Sequence, residues 1–157
     1  MSGYIVALFG HRELPDLQRI EKSLYPIVKK LILKETYVIF LIGRNGEFDE
    51  YAASIIKSIQ HEYGTGNSEL LLVLPYEVAD IKYYENYYDG IYIPPCVEGV
   101  HPKSSISKRN RWMVEQADLV IVNVEKSQGG AYTAMKYAEK LHTHVINLAE
   151  SPKKYPS

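Results

Sequence analysis

Three polar stretches in this sequence combine residue types able to hold, or to act on, an anion. The first is Gly10-His11-Arg12. Gly10 lets the backbone turn tightly or approach a ligand. Arg12 carries a planar fork that matches phosphate or carboxylate, and His11 titrates near neutral pH, so it can donate to a phosphate or serve as acid or base. The plainer reading is a loop-capping histidine beside a solvated arginine. The second stretch is Gly43-Arg44-Asn45-Gly46-Glu47-Phe48-Asp49. Its glycines and Asn45 suit a loop whose amides point at an anion, helped by the start of the next helix. Glu47 and Asp49 would lie in that helix's first turn, where they complement the helix dipole, hydrogen-bond a ribose or act as a base. With His11 they are the candidate catalytic groups. The third stretch is Gln128-Gly129-Gly130-Ala131-Tyr132-Thr133, running straight into a helical pattern. A glycine pair at a helix start, with the Thr133 hydroxyl close by, suits a phosphate cradle; the plainer reading is a turn that needs glycine for its geometry. Arg109 and Asn110, just ahead of the apolar Trp112-Met113 pair, can reach the same crevice. No Gly-Lys-Ser/Thr follows any of these loops and the first strand carries no GxGxxG, so neither a P-loop nor standard dinucleotide binding is supported. No metal and no cofactor are expected.

Loops of this kind work only if a scaffold brings them together. Five short apolar runs supply it: Tyr4–Phe9, Tyr37–Ile42, Leu70–Leu74, Leu119–Val124 and His144–Leu148. Each is nearly continuously apolar, as strands buried on both faces are. Amphipathic segments lie between them, at Leu17–Leu33, Phe48–Tyr63, Lys108–Gln116 and Ala131–Leu141. Pro26 falls inside the first and should kink or split it. Strands alternating with helices predict right-handed crossovers and an α/β, Rossmann-like three-layer domain over residues 1–150, with a mainly parallel sheet of about five strands. In such a sheet ligands bind outside the carboxyl ends of the strands, where all three polar stretches fall. Residues 75–107 are irregular, and a short helix with a long connection, a candidate lid, is expected there. Residues 151–157 should be frayed.

Composition narrows the partners. The chain has 157 residues, enough for one domain with a core, and its 46% hydrophobic and 24% charged content is ordinary for a globular protein. The net charge is −1 and Lys and Arg form no run, which argues against duplex nucleic acid. No segment has the length and apolarity of a membrane span, and the N-terminus lacks a basic region ahead of its apolar run, so neither membrane association nor a signal peptide is expected. The single Cys96 cannot form an internal disulfide, fits a cytoplasmic setting and reads as a small buried hydrophobe rather than a nucleophile. Tyrosine is over-used, at 14 residues. Tyr83, Tyr84, Tyr87 and Tyr88 are helically spaced and read as a half-buried helix face, or else as a ligand rim or interface. A homo-oligomer is expected, with this segment as its candidate contact.

Taken together, FGHRELP, GRNGEFDEYAA, KRNRWMVEQADLVIV and GGAYTAMKYA resemble the SLOG superfamily, the Rossmann-like group that unites DprA-type and LOG-type proteins, and most closely its small stand-alone YpsA-like branch. The resemblance runs in order across nearly the whole chain and implies binding of nucleotides or nucleotide-derived ligands. One departure bears on chemistry. LOG-type enzymes, which cleave an N-glycosidic bond in nucleoside monophosphates, carry PGGxGTxxE, whereas this chain reads QGGAYTAMK. Lys136 therefore stands where the catalytic carboxylate would be, and a cation cannot stabilise an oxocarbenium-like centre. The leading expectation is thus a binding protein, not an enzyme, that senses or sequesters a phosphorylated nucleotide-like small molecule. Gly129, Gly130 and Thr133 would hold phosphate, Arg12 or Arg109 would add charge, and Glu47 or Asp49 would hold ribose. The alternatives are an N-glycosidic hydrolase or transferase using Glu47 or Asp49, and a protein–protein adaptor without a ligand.

Overall fold

Among the described residues, six parallel strands form one sheet in the order β4-β3-β2-β1-β5-β6. The computed structural model describes residues 2–13, 16–64 and 66–149. The central strands β1 (Tyr4–Gly10), β2 (Val38–Ile42) and β5 (Leu119–Asn123) are almost wholly buried. Continuous apolar runs can be buried this way because alternate side chains serve opposite faces of the sheet. Val6, Leu8, Phe40, Ile42 and Ile121 pack against α1 (Leu17–Lys34) and α2 (Glu47–Tyr63), which contribute Leu24, Val28, Phe48 and Ile56. Ala7, Phe9, Ile39, Leu41 and Val122 face the other way, onto Met113 of α4 (Pro102–Gln116) and Ala131, Ala134 and Ala138 of α5 (Gly130–Lys140). These two cores make the three layers.

Two differences from the expected fold have local causes. The sheet has six strands because β4 (Gly90–Tyr92) adds to the edge of β3 (Ser68–Val73), while β6 (His144–Asn147) closes the opposite edge. A three-residue edge strand is too short for its periodicity to be read. Pro26 does not split α1, which runs unbroken through it. The carbonyl that Pro26 leaves without a donor is that of Lys22, and both residues are exposed, so water can satisfy it.

The irregular segment holds α3 (Ile81–Tyr87) and a turn of 3-10 helix at Pro95–Val97. Tyr83 is exposed, Tyr84 and Tyr87 are half-buried and Tyr88 is buried, so the tyrosine cluster is a helix face packed by edge contacts. Cys96 is exposed, not buried, because it sits on that 3-10 turn at the surface. No helix among the described residues is long and apolar enough to cross a membrane. The expected fraying of residues 151–157 lies outside the described residues.

What matters for the site is the reversal of winding. From β1 the chain builds outward through β2, β3 and β4, then crosses to lay β5 on the other side of β1. The helices after β1 and β2 cover one face and those before and after β5 cover the other. The loops leaving β1 and β5 therefore part to opposite sides and leave a crevice between them.

Candidate functional site

At that switch point lies a crevice of about 300 Å³. Its lining includes Gly10, His11 and Arg12 after β1, Gly43, Asn45 and Asp49 around the start of α2, and Arg109 and Asn110 on α4. Gly129, Gly130 and Ala131 at the start of α5 close the ring, over an apolar floor of Leu8, Phe9, Ile106 and Met113. The fold thus gathers most of the expected site residues from four separate segments.

Several others lie elsewhere. Arg44 places its guanidinium 5.3 Å from the centroid of the Tyr84 ring. Its Nε is buried and has no hydrogen-bond partner among the described residues. Gly46 is pressed against the backbone of Arg12. Glu47 lines an adjoining hollow with Arg12, Glu13, Asn123, Glu125 and Lys126. Tyr132 packs on the core of the α4–α5 face, and the Thr133 hydroxyl donates to the Gly129 carbonyl at 3.0 Å, in a side groove. Lys136 is exposed and pairs with Glu139 at 2.9 Å, away from the crevice lining. The irregular segment supplies only Ile106 to the lining, so it does not cover the crevice as a lid.

The helix starts differ in what is already satisfied. At α2 the Asn45 amide donates to Asp49 Oδ2 at 2.9 Å and the Glu47 amide to the Arg12 carbonyl at 2.8 Å. The expected anion loop at residues 43–49 is thus filled by the protein's own acceptors, and the first turn holds three acids, Glu47, Asp49 and Glu50. At α5 no side chain caps the helix and the first turn has no acid. Its first amides have no intrahelical acceptor, as at any helix start, and they carry the positive end of the helix dipole toward the crevice. Gly129 has φ 96°, a left-handed conformation that side chains resist, with open space where a Cβ would be.

Arg109 is the electrostatic centre. It is 3% exposed and held by two donations, Nη1 to the Val73 carbonyl at 2.7 Å and Nε to Asn110 Oδ1 at 2.9 Å. No carboxylate lies within ion-pair distance of it among the described residues. Gly43 separates Arg109 from Asp49: a Cβ there would sit 3.0 Å from Arg109 Nη1 and 3.2 Å from Asp49 Oδ2. Burial lifts the Asp49 carboxyl to about 6, opposed by the Asn45 amide and the Arg109 charge. Burial likewise lowers Arg109 to about 10, opposed by Asp49. His11 Nε2 accepts from the Glu125 and Lys126 amides, each at 3.1 Å. Burial, more than the nearby Lys126, lowers its pKa and favours the neutral ring that such acceptance requires. The plainer expectation for His11, a loop cap, therefore describes its geometry, and its Nε2 lone pair is not free for proton transfer.

Sequence reasoning passed over the apolar floor, and also Asn123, Glu125 and Lys126 in the adjoining hollow. Leu8, Phe9 and Met113 carry no signal apart from their place at the ends of core elements. Asn123 did carry one, as the polar residue closing the apolar run of β5.

No protein-family model and no curated protein sequence matches the chain. Solved structures do. The chain resembles DNA processing protein A from Streptococcus pneumoniae at TM-score 0.65 and 18% identity, covering 90% of this chain and 49% of that one. It also resembles DNA processing protein A from Helicobacter pylori, studied for its single-stranded DNA binding mode, at TM-score 0.62 and 16% identity. There the overlap covers 90% of this chain and 63% of that one. The chain thus spans about half and about two thirds of these neighbours' lengths. This likeness overturns the partner expectation, which named a nucleotide-like small molecule and, in excluding duplex nucleic acid, left single strands unconsidered. A protein of the same fold binds single-stranded DNA, and a net charge summed over the whole surface does not report on one groove, where a few cations suffice. In fold, the chain is a three-layer, Rossmann-like α/β domain similar to part of DNA processing protein A.

Proposed function

We propose that the chain binds a nucleotide through its phosphate in the crevice between the β1 and β5 loops, whether the nucleotide is free or a unit of a single strand. The observation that carries this reading is the buried Arg109, a cation with no carboxylate within ion-pair distance among the described residues, on a crevice that the uncapped start of α5 also faces. Burying a charge outside an ion pair is costly, and an anion in the crevice would offset that cost. In this reading the amides at Gly130 and Ala131 hold the phosphate with Arg109, Arg12 closes over it, and Asn110 and Asn45 orient the remainder. The DprA-like fold, with a single-stranded DNA binder among its members, supports a nucleotide as the group that brings the phosphate.

Thermal unfolding with added ligand tests this directly. A nucleoside monophosphate or a short single strand is expected to raise the midpoint, since a ligand at about 100 times its Kd stabilises by about 2.7 kcal/mol. The nucleoside lacking phosphate should bind at least about tenfold more weakly, and Arg109→Lys should weaken the monophosphate similarly, because lysine loses the bidentate fork. No response to either monophosphates or single strands would refute the proposal.

A second reading, hydrolysis of an N-glycosidic bond, is favoured by one observation. Asp49 lines the crevice with its carboxyl raised to about 6, near the range of a general acid. Release of free base from a nucleoside monophosphate would be the activity. Asp49→Asn should abolish it and spare binding; turnover that survives in this variant would remove Asp49 from that role.

A further inference from the structure

Arg109 and Asp49 are opposite charges that face the same crevice without pairing. A Cβ on Gly43 would stand 3.0 Å from Arg109 Nη1 and 3.2 Å from Asp49 Oδ2, so those two atoms are at most about 6 Å apart. No ion pair joins them among the described residues, and each keeps an unused atom. Arg109 donates through Nη1 to the Val73 carbonyl and through Nε to Asn110, which leaves Nη2 without an acceptor among the described residues. Asp49 Oδ2 accepts from the Asn45 amide, whereas Oδ1 accepts from no described residue and is not sealed from solvent. Asp49 is also the one acid among the described residues of the crevice lining. The other side-chain acceptors there are largely taken: His11 Nε2 by two backbone amides and Asn110 Oδ1 by Arg109 Nε.

A ligand that satisfies both groups must present an anion and, a few ångströms away, a hydrogen-bond donor. In a nucleotide the donors nearest the phosphate are the sugar hydroxyls, since the N–H groups of the base lie beyond the ring. From this geometry we infer that the crevice selects ribose, with Asp49 Oδ1 accepting from the 2′,3′-diol of a nucleotide whose phosphate Arg109 holds. This deepens the function proposed above by naming its sugar, and rests on it. The apolar floor of Leu8, Phe9, Ile106 and Met113 suits the C–H face of a sugar and offers its hydroxyls no side-chain acceptor that competes with Asp49. A ligand without the hydroxyls leaves the carboxylate oxygen unpaired in a site closed off from water. It also leaves two negative charges facing each other with no donor between them. The Asp49 carboxylate thus weakens the binding of a bare phosphate and favours one that carries a diol.

Isothermal titration calorimetry at pH 8 tests the inference, with one ribonucleoside 5′-monophosphate and its 2′-deoxy, 3′-deoxy and 2′,3′-dideoxy forms. At that pH Asp49, whose carboxyl titrates at about 6, is ionised. The dideoxy form is expected to bind the parent at least about tenfold more weakly than the ribonucleotide, as for the loss of a hydrogen bond to a charged group. The two single deoxy forms show which hydroxyl is held. In Asp49→Asn, with folding verified by circular dichroism, that ratio should shrink by at least about threefold, because a neutral amide bonds a hydroxyl more weakly than a carboxylate does. The dideoxy form should bind this variant about threefold more tightly than it binds the parent, since two unit charges about 6 Å apart in water no longer repel. A merely structural role for Asp49 would weaken all four ligands alike. Should the variant not fold, the ligand series on the parent decides alone. A parent that binds the dideoxy form as tightly as the ribonucleotide would overturn the inference and leave the phosphate crevice standing. Failure of the crevice reading looks different: none of the four ligands binds, which removes both.

Discussion

The helices α2 and α5 each follow a glycine-containing loop beside the same crevice, and their first turns are built in opposite ways. At α2 the loop amides are spoken for by Asp49 and the Arg12 carbonyl, three acids occupy the first turn, and Gly46 is packed against the Arg12 backbone. At α5 no side chain caps the helix, the first turn has no acid, and nothing lies within 4 Å of where a Cβ on Gly129 would stand. The same sequence cue, glycine before a helix, thus marks close packing in one place and open amides in the other. An anion-binding turn differs from a structural one in what already occupies it, and that is a property of the neighbours.

Substitutions at the two helix starts should separate these roles, and the largest effect belongs to the packed one. A Cβ at Gly46 would stand 2.5 Å from Arg12 Cα, a backbone atom that cannot step aside. Gly46→Ala should therefore cost about 2–3 kcal/mol in urea unfolding. Full parental stability would show that the α2 start is as open as that of α5.

The next effect is a pH dependence. Asp49 rises from its ordinary 3.8 to about 6 in the folded chain, so between those values the folded state holds a proton that the unfolded chain has released. The stability this proton contributes is present below about pH 4 and is lost as pH rises through about 6, a swing of about 3 kcal/mol. Asp49→Asn should flatten that part of the stability profile. A parental slope that persists in the variant would place the titration elsewhere.

Smaller effects are expected at α5. Gly129→Ala should destabilise by about 1 kcal/mol, since only the positive φ opposes the new methyl. Gly130→Ala should stay within about 0.5 kcal/mol, because Asn110 Nδ2 at 3.5 Å is an ordinary contact and alanine favours a helix. A large loss there would mean that the start of α5 is as tightly packed as that of α2.

Much of the site was legible because polar residues that end apolar runs must sit at the carboxyl edge of a parallel sheet. Gly10, Gly43 and Gly129 were found that way, and all line the crevice. Arg109 was placed near it by sequence position, but its burial and its hold on Val73, 36 residues away, have no local signature. Thr133 was misplaced for the same reason. Its hydroxyl turns back onto Gly129, a choice made by helix geometry after the motif is satisfied. His11 lay open between a working acid or base and a loop cap until the amides of Glu125 and Lys126, over 100 residues distant, were seen to claim its ring nitrogen.

By itself the sequence determined the α/β class, the parallel central strands and the loops that meet at their ends, because apolar periodicity and loop composition are local properties. The tertiary structure alone decided which helix start keeps its amides open and which charge is buried outside any ion pair among the described residues. Those outcomes depend on distances between segments far apart in the chain, and electrostatics and hydrogen bonding act through such distances.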